Sequence, residues 1–131
     1  MRVEFFDLEN ESNQLNGSVL VNEEEISSLL ARLAVRPPFI FELRGENGYM
    51  LQIGIAGSKG CVQHSPASGD VPYMMAVAPE AETGDDVEFA LGGTPTPISR
   101  RYILPIELVR QIAVHFAHTG NRGSLVGWQE I

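Results

Sequence analysis

Residues 104–131, LPIELVRQIAVHFAHTGNRGSLVGWQEI, decide how the rest of the chain is read. Pro105 suits a first helical position, where its missing N–H has no helical partner to lose, and Gly120 suits a helix stop. At 100° per residue, Ile106, Leu108, Val109, Ile112, Ala113, Phe116 and Ala117 fall on one half of the helix. Glu107, Arg110, Gln111, His115 and His118 fall on the other half, and Val114 is the exception. SLVGWQEI then reads as a terminal strand carrying the only tryptophan, Trp128. A helix with one apolar half needs a layer to cover it, and the strand that follows returns the chain to a sheet.

Upstream, FIFELRGENGYMLQIGIAGSKGCVQHS (residues 39–65) contains two β-rich runs joined by GENG and a third after GSKG, a meander of three antiparallel strands. PYMMAVA and DVEFAL read as two more strands, and the Gly- and Pro-rich GGTPTP closes the sheet region. Near the N-terminus, RVEFFDL reads as a short strand and ENESNQLNG as a loop. VNEEEISSLLARLA opens on a cap at Asn22, with Glu25 placed to return its carboxylate to the cap's N–H, and puts Ile26, Leu29, Leu30 and Leu33 on one face. Glu23, Glu24 and Glu25 sit in the first turn, where exposed N–H groups favour negative charge, and RPP ends the helix. The order predicts an α+β two-layer sandwich: an antiparallel or mixed sheet of five to seven strands with two amphipathic helices on one face, as one domain over residues 1–131. The first and last strands could lie side by side in it.

Seventeen carboxylates against nine Lys and Arg give a formal charge of −8. That field repels nucleic acid and anionic lipid and attracts a basic partner. A single cysteine, Cys61, excludes an internal disulfide and any multi-thiolate metal site within one chain. No leader pattern and no stretch of about 18 apolar residues is present, which makes the cytoplasm the expected location.

No catalytic set emerges. Cys61 and His64 are three apart on a strand and point to opposite faces, so they do not meet as thiolate and base. His115 and His118 share a helix side but lack a third metal ligand. GIAGSKG lacks the spacing of a phosphate loop and precedes no helix. No cofactor is implied. The densest charge is in PEAETGDDVE, where Glu80, Glu82, Asp85, Asp86 and Glu88 fall within nine residues. Such a run is either a solvated loop or a docking patch for a basic partner. A small-molecule-binding or regulatory module, with Tyr49 and Tyr73 lining a pocket, is the alternative reading; an enzyme using His64 or the His115/His118 pair is a third.

LPIELVRQIAVHFAHTG followed by LVGWQEI resembles family one of the bacterial polymorphic-toxin immunity proteins, and GYMLQIGIAGSKGCVQH resembles that family's central hairpin. The resemblance marks Pro105, Phe116, Gly120 and Trp128 as determinants of the fold. It implies a protein that binds and neutralises a cognate secreted toxin domain, a nucleic-acid-targeting deaminase or nuclease, in the cytoplasm of the producing cell or its kin. Such toxins act on polyanions and are expected to be basic. The carboxylates of residues 80–88, with Asp7, Glu9 and Glu11, are then the candidates to stand in for phosphates, and Tyr49 and Tyr73 are candidate aromatic anchors for the toxin.

Overall fold

The computed structural model describes all 131 residues. The chain runs β1 (Val3–Phe6), β2 (Val19–Leu20), α1 (Glu23–Leu33), β3 (Phe39–Gly45), β4 (Tyr49–Ala56), β5 (Lys59–Pro66), β6 (Met74–Val77), β7 (Val87–Leu91), β8 (Thr94–Ile98), β9 (Leu104–Pro105), α2 (Ile106–Thr119) and β10 (Gly127–Glu130). All ten strands belong to one open sheet, in the order β10-β6-β5-β4-β3-β1-β2, with β7 beside β3, β8 beside β7 and β9 beside β5. Every pairing is antiparallel except the single parallel bridge between Phe39 and Ala90. The fold is therefore α+β with two helices, and five to seven strands understates a sheet of ten. The extra strands are β2 and β9, two residues each, and β8, whose prolines disguise it. The first and last strands are not neighbours: β6, β5, β4 and β3 lie between β10 and β1.

The period of two sorts the sheet into faces. Phe39, Phe41 and Leu43 of β3, Leu51, Ile53 and Ile55 of β4 and Val62 of β5 turn one way, into a core of 23 buried residues with Ile26, Leu29, Leu30 and Leu33 of α1 and Val109, Ile112, Ala113, Phe116 and Ala117 of α2. The opposite face has a smaller core of its own, in which Phe89 of β7 and Ile103 pack on Ile40, Cys61 and Met75. Two glycines make these approaches possible. A Cβ on Gly60 would press on Val109 of α2 at 3.1 Å, and one on Gly54 would meet the Phe89 ring at 3.0 Å. The β7–β8 hairpin thus covers part of the face away from the helices, which a strict two-layer sandwich leaves bare.

Both helices end as their sequences require. Asn22 Oδ1 accepts from the Glu25 N–H at 2.9 Å, but the reciprocal Glu25 bond is not made. Glu23 instead reaches Arg110 of α2 at 2.7 Å, and Arg110 also grips Glu107 at 2.6 Å, one turn away. Pro105 caps α2 one residue earlier than its helix-start reading, with φ −57° preset by its ring. Gly120 takes the left-handed conformation (φ 76°) that lets its N–H return to the Phe116 carbonyl at 2.7 Å.

The loop after β1 is organised by Asp7. Its side chain, with no exposed surface, accepts from the Glu9 and Asn10 N–H groups at 2.9 and 3.2 Å, from Asn13 Nδ2 at 2.9 Å and from Arg36 Nη1 at 2.8 Å. Burial alone would raise its pKa; the bonds from Arg36, Asn13 and Glu9 outweigh burial and hold it below the ordinary carboxylate value. A group whose folded pKa is lowered contributes stability above its unfolded value, near 3.9, and loses that contribution as pH falls through the folded value. An Asp7→Asn variant is therefore expected to lose about 1–3 kcal/mol at neutral pH. Its deficit against the wild type should shrink below about pH 4, as read from denaturant midpoints across pH. A deficit that stays constant with pH would show that the charge is not what holds the loop.

Candidate functional site

The segment between β6 and β7 carries the densest charge, and the structure gives its carboxylates unequal work. Glu82 Oε2 takes Lys59 Nζ at 2.9 Å and Arg100 Nη1 at 3.3 Å, while Arg100 Nε also donates to the Asp85 carbonyl at 2.9 Å. Lys59 sits at the start of β5 and Arg100 in the 3₁₀ turn Arg100–Tyr102, so two elements fix the segment. The hydrogen bond and charge of Lys59, with the charge of Arg100, hold the Glu82 carboxyl below its ordinary pKa against a small desolvation. Glu80, Asp85, Asp86 and Glu88 are exposed, and their carboxylates make no ion pair or hydrogen bond within the chain. The result is a braced loop presenting four free carboxylates. A Cβ added at its Gly84, whose φ is 132°, would stand 3.2 Å from Arg100 Nε and crowd it.

The N-terminal acids do not join this patch. Asp7 presents no carboxylate to solvent because it is spent on the loop described above, so it drops out of the docking set. Glu9 accepts from the Gly93 N–H at 2.9 and 3.1 Å, tying its loop to the tip of the β7–β8 hairpin. Glu11 is exposed nearby in sequence. The acidic segment enters β7 at the opposite end, Val87, so the five residues of β7 separate the two groups by about 17 Å.

The tyrosines also part company. Tyr49 is 42% exposed and stacks on His64, with ring centroids 5.1 Å apart at 16°. Together with Asn47, Gly120, Asn121, Arg122 and Gly123 they line a cleft of about 410 Å³ at the end of α2. Tyr73 is not in that lining; its hydroxyl donates to the Gly69 carbonyl. A cleft whose lining holds one apolar residue lacks the mainly apolar walls of a small-molecule pocket. Sequence reading missed His64 as a wall of this cleft, although its even number on β5, in step with Gly60 and Val62, places it on the helix face. Burial, and then the Arg122 charge, lowers its pKa, which favours the neutral imidazole. Cys61 faces the other way into the second core, where burial pushes its thiol up to about 12, far from a thiolate nucleophile. His115 packs beside Gly123 and His118 is exposed.

Pro105 and Gly120 bound α2, Phe116 is fully buried, and Trp128 on β10 donates from Nε1 to the Gly123 carbonyl at 3.0 Å while meeting His64 edge-on. The family model described as Immunity protein Imm1 matches residues 16–130, a span holding both helices and every strand from β2 to β10. The chain belongs to the Imm1 immunity protein family. An Imm1 protein is an immunity protein against a toxin, and its partner is a cognate toxin. Comparison with the curated proteins finds no match. The Imm1 match includes the acidic segment, the cleft and β10, and leaves β1 and Asp7 outside. No helix of this Imm1 protein is long and apolar enough to cross a membrane.

Proposed function

We propose that this immunity protein neutralises a basic, nucleic-acid-targeting toxin domain, a deaminase or nuclease, by occluding it with a prefolded acidic surface in the cytoplasm of the cell that carries both. The observation that carries the reading is the braced segment 79–88, with four carboxylates left unpaired in a chain of charge −8. A toxin that acts on a polyanion needs a positive cleft, and clustered carboxylates on a fixed loop mimic the spacing of negative charge that such a cleft accepts. Glu82, Lys59 and Arg100 hold the loop before the partner arrives, so less conformational entropy is lost on docking. Long-range attraction raises association towards about 10⁸–10⁹ M⁻¹s⁻¹, against about 10⁵–10⁶ without steering. Speed protects a cell in which free toxin is lethal. A standard interface of about 800 Å² per partner would use about an eighth of the 6689 Å² surface, enough for nanomolar binding if a few anchors are well buried. The protein performs no reaction in this scheme.

The test is co-expression with the cognate toxin domain. Cells carrying both are expected to grow, and cells carrying the toxin alone to die, with the purified pair forming a complex. Death of cells that contain the folded protein at the toxin's own level would refute the reading.

A further inference from the structure

Four strands have a single neighbour in the sheet: β2, β8, β9 and β10. An end strand offers a row of unpaired N–H and C=O groups to any passing chain unless it is blunted. β2 and β9 are two residues long, too short to receive a partner strand. On β8, Leu91 and Thr94 close the two-residue Gly92–Gly93 turn as a hydrogen-bonded pair. Alternation then turns residues 95 and 97 outward, and both are prolines, which have no N–H to offer.

β10 has no such block. The Ile131 N–H donates to the Tyr73 carbonyl directly across from it, so Ile131, Gln129 and Gly127 bond towards β6. Trp128 and Glu130 therefore turn their backbone N–H and C=O groups to the free side. The molecule exposes six large apolar side chains, and two of them flank this strand: Leu125 lies two residues before β10 and Ile131 directly after it. At the other end, Gly127 pairs with Val77, the last residue of β6, and the acidic segment follows directly.

We propose that the cognate toxin docks by adding an extended strand to the free edge of β10, with apolar side chains over Leu125 and Ile131 and a cationic end reaching the carboxylates beyond Val77. This rests on the immunity reading above and specifies its contact. Backbone groups at such an edge recognise a strand whatever its sequence, while the flanking side chains select it. Charge chooses the occupant: a second copy would bring −8 against −8, whereas a basic segment is attracted by both the edge's Glu130 and the acidic segment.

The experiment measures amide hydrogen exchange of the protein alone and with its cognate toxin domain, and the toxin affinity of the Glu130→Pro and Glu130→Gln variants. Proline at 130 removes an outward N–H and leaves the bonds from 127, 129 and 131 to β6 in place; glutamine removes the charge alone. The Trp128 and Glu130 amides are expected to exchange freely in the isolated protein and become protected in the complex. Glu130→Pro is expected to weaken binding by about tenfold, the worth of a lost interfacial hydrogen bond, and Glu130→Gln by much less. Tight toxin binding with no protection at 128 and 130, and an unchanged affinity for Glu130→Pro, would overturn the strand contact and leave the immunity reading standing. Failure of the wild-type protein to bind the toxin at all would overturn both. Protection in the protein alone, with a dimer mass that Glu130→Pro abolishes, would give the edge to a second copy and overturn the proposal.

Discussion

A Phe116→Ala variant is expected to lose about 3–5 kcal/mol of folding stability, the largest single-residue effect we foresee. Phe116 is fully buried near the C-terminal end of α2, its ring edge-on to His64 with centroids 5.8 Å apart at 82°. Its tip reaches Gly45 at the end of β3, where a Cβ would stand 3.0 Å from Cζ. One side chain therefore joins the last turn of the helix to two strands of the meander, and truncation leaves a cavity that the glycine opposite cannot fill. Lost transfer energy and the cavity add, because the sheet cannot collapse onto the gap. Denaturant unfolding should report a shifted midpoint with an unchanged slope. Leu125→Ala, at a position 52% exposed, is the companion control and should stay within about 0.5 kcal/mol. A loss below about 1 kcal/mol for Phe116→Ala would mean that the helix is not secured through this contact.

Much of this framework was legible in the sequence because its signals are periodic. The 3.6-residue spacing of Val109, Ile112, Ala113 and Phe116, and of Ile26, Leu29, Leu30 and Leu33, predicts the buried faces that both helices present. Turn residues at GENG and GSKG place the meander, and the opposite facing of Cys61 and His64 follows from strand alternation. What escaped lacks a period. β8 reads as a loop because proline usually denies a strand, yet an end strand can carry proline wherever the N–H would point outward. β2 and β9 are too short to show alternation. Asp7 looks like any other surface acid, and only the chain's return at Arg36 buries it. The acidic segment could be found by counting, but the division between Glu82, which braces it, and the four free carboxylates depends on Lys59 and Arg100, 23 residues before Glu82 and 18 after it.

That division defines the second large effect. Replacing the four free groups together (Glu80→Gln, Asp85→Asn, Asp86→Asn, Glu88→Gln) and leaving Glu82 in place is expected to slow toxin association by about 10- to 100-fold at low salt. Dissociation should change less, because steering acts on encounter rather than on the docked complex. Folding stability should stay within about 0.5 kcal/mol, since none of the four is paired within the chain. Changing Glu82 as well would release Lys59 and Arg100 and loosen the loop, mixing two effects.

The central claim, that a fixed acidic surface captures a positively charged toxin, is tested most directly by stopped-flow association rates for the wild type and this fourfold variant with the cognate toxin domain, across a range of salt. The account predicts a wild-type rate that falls steeply as salt rises and a variant rate that starts low and is nearly flat. Equal rates for the two proteins, insensitive to salt, would contradict it.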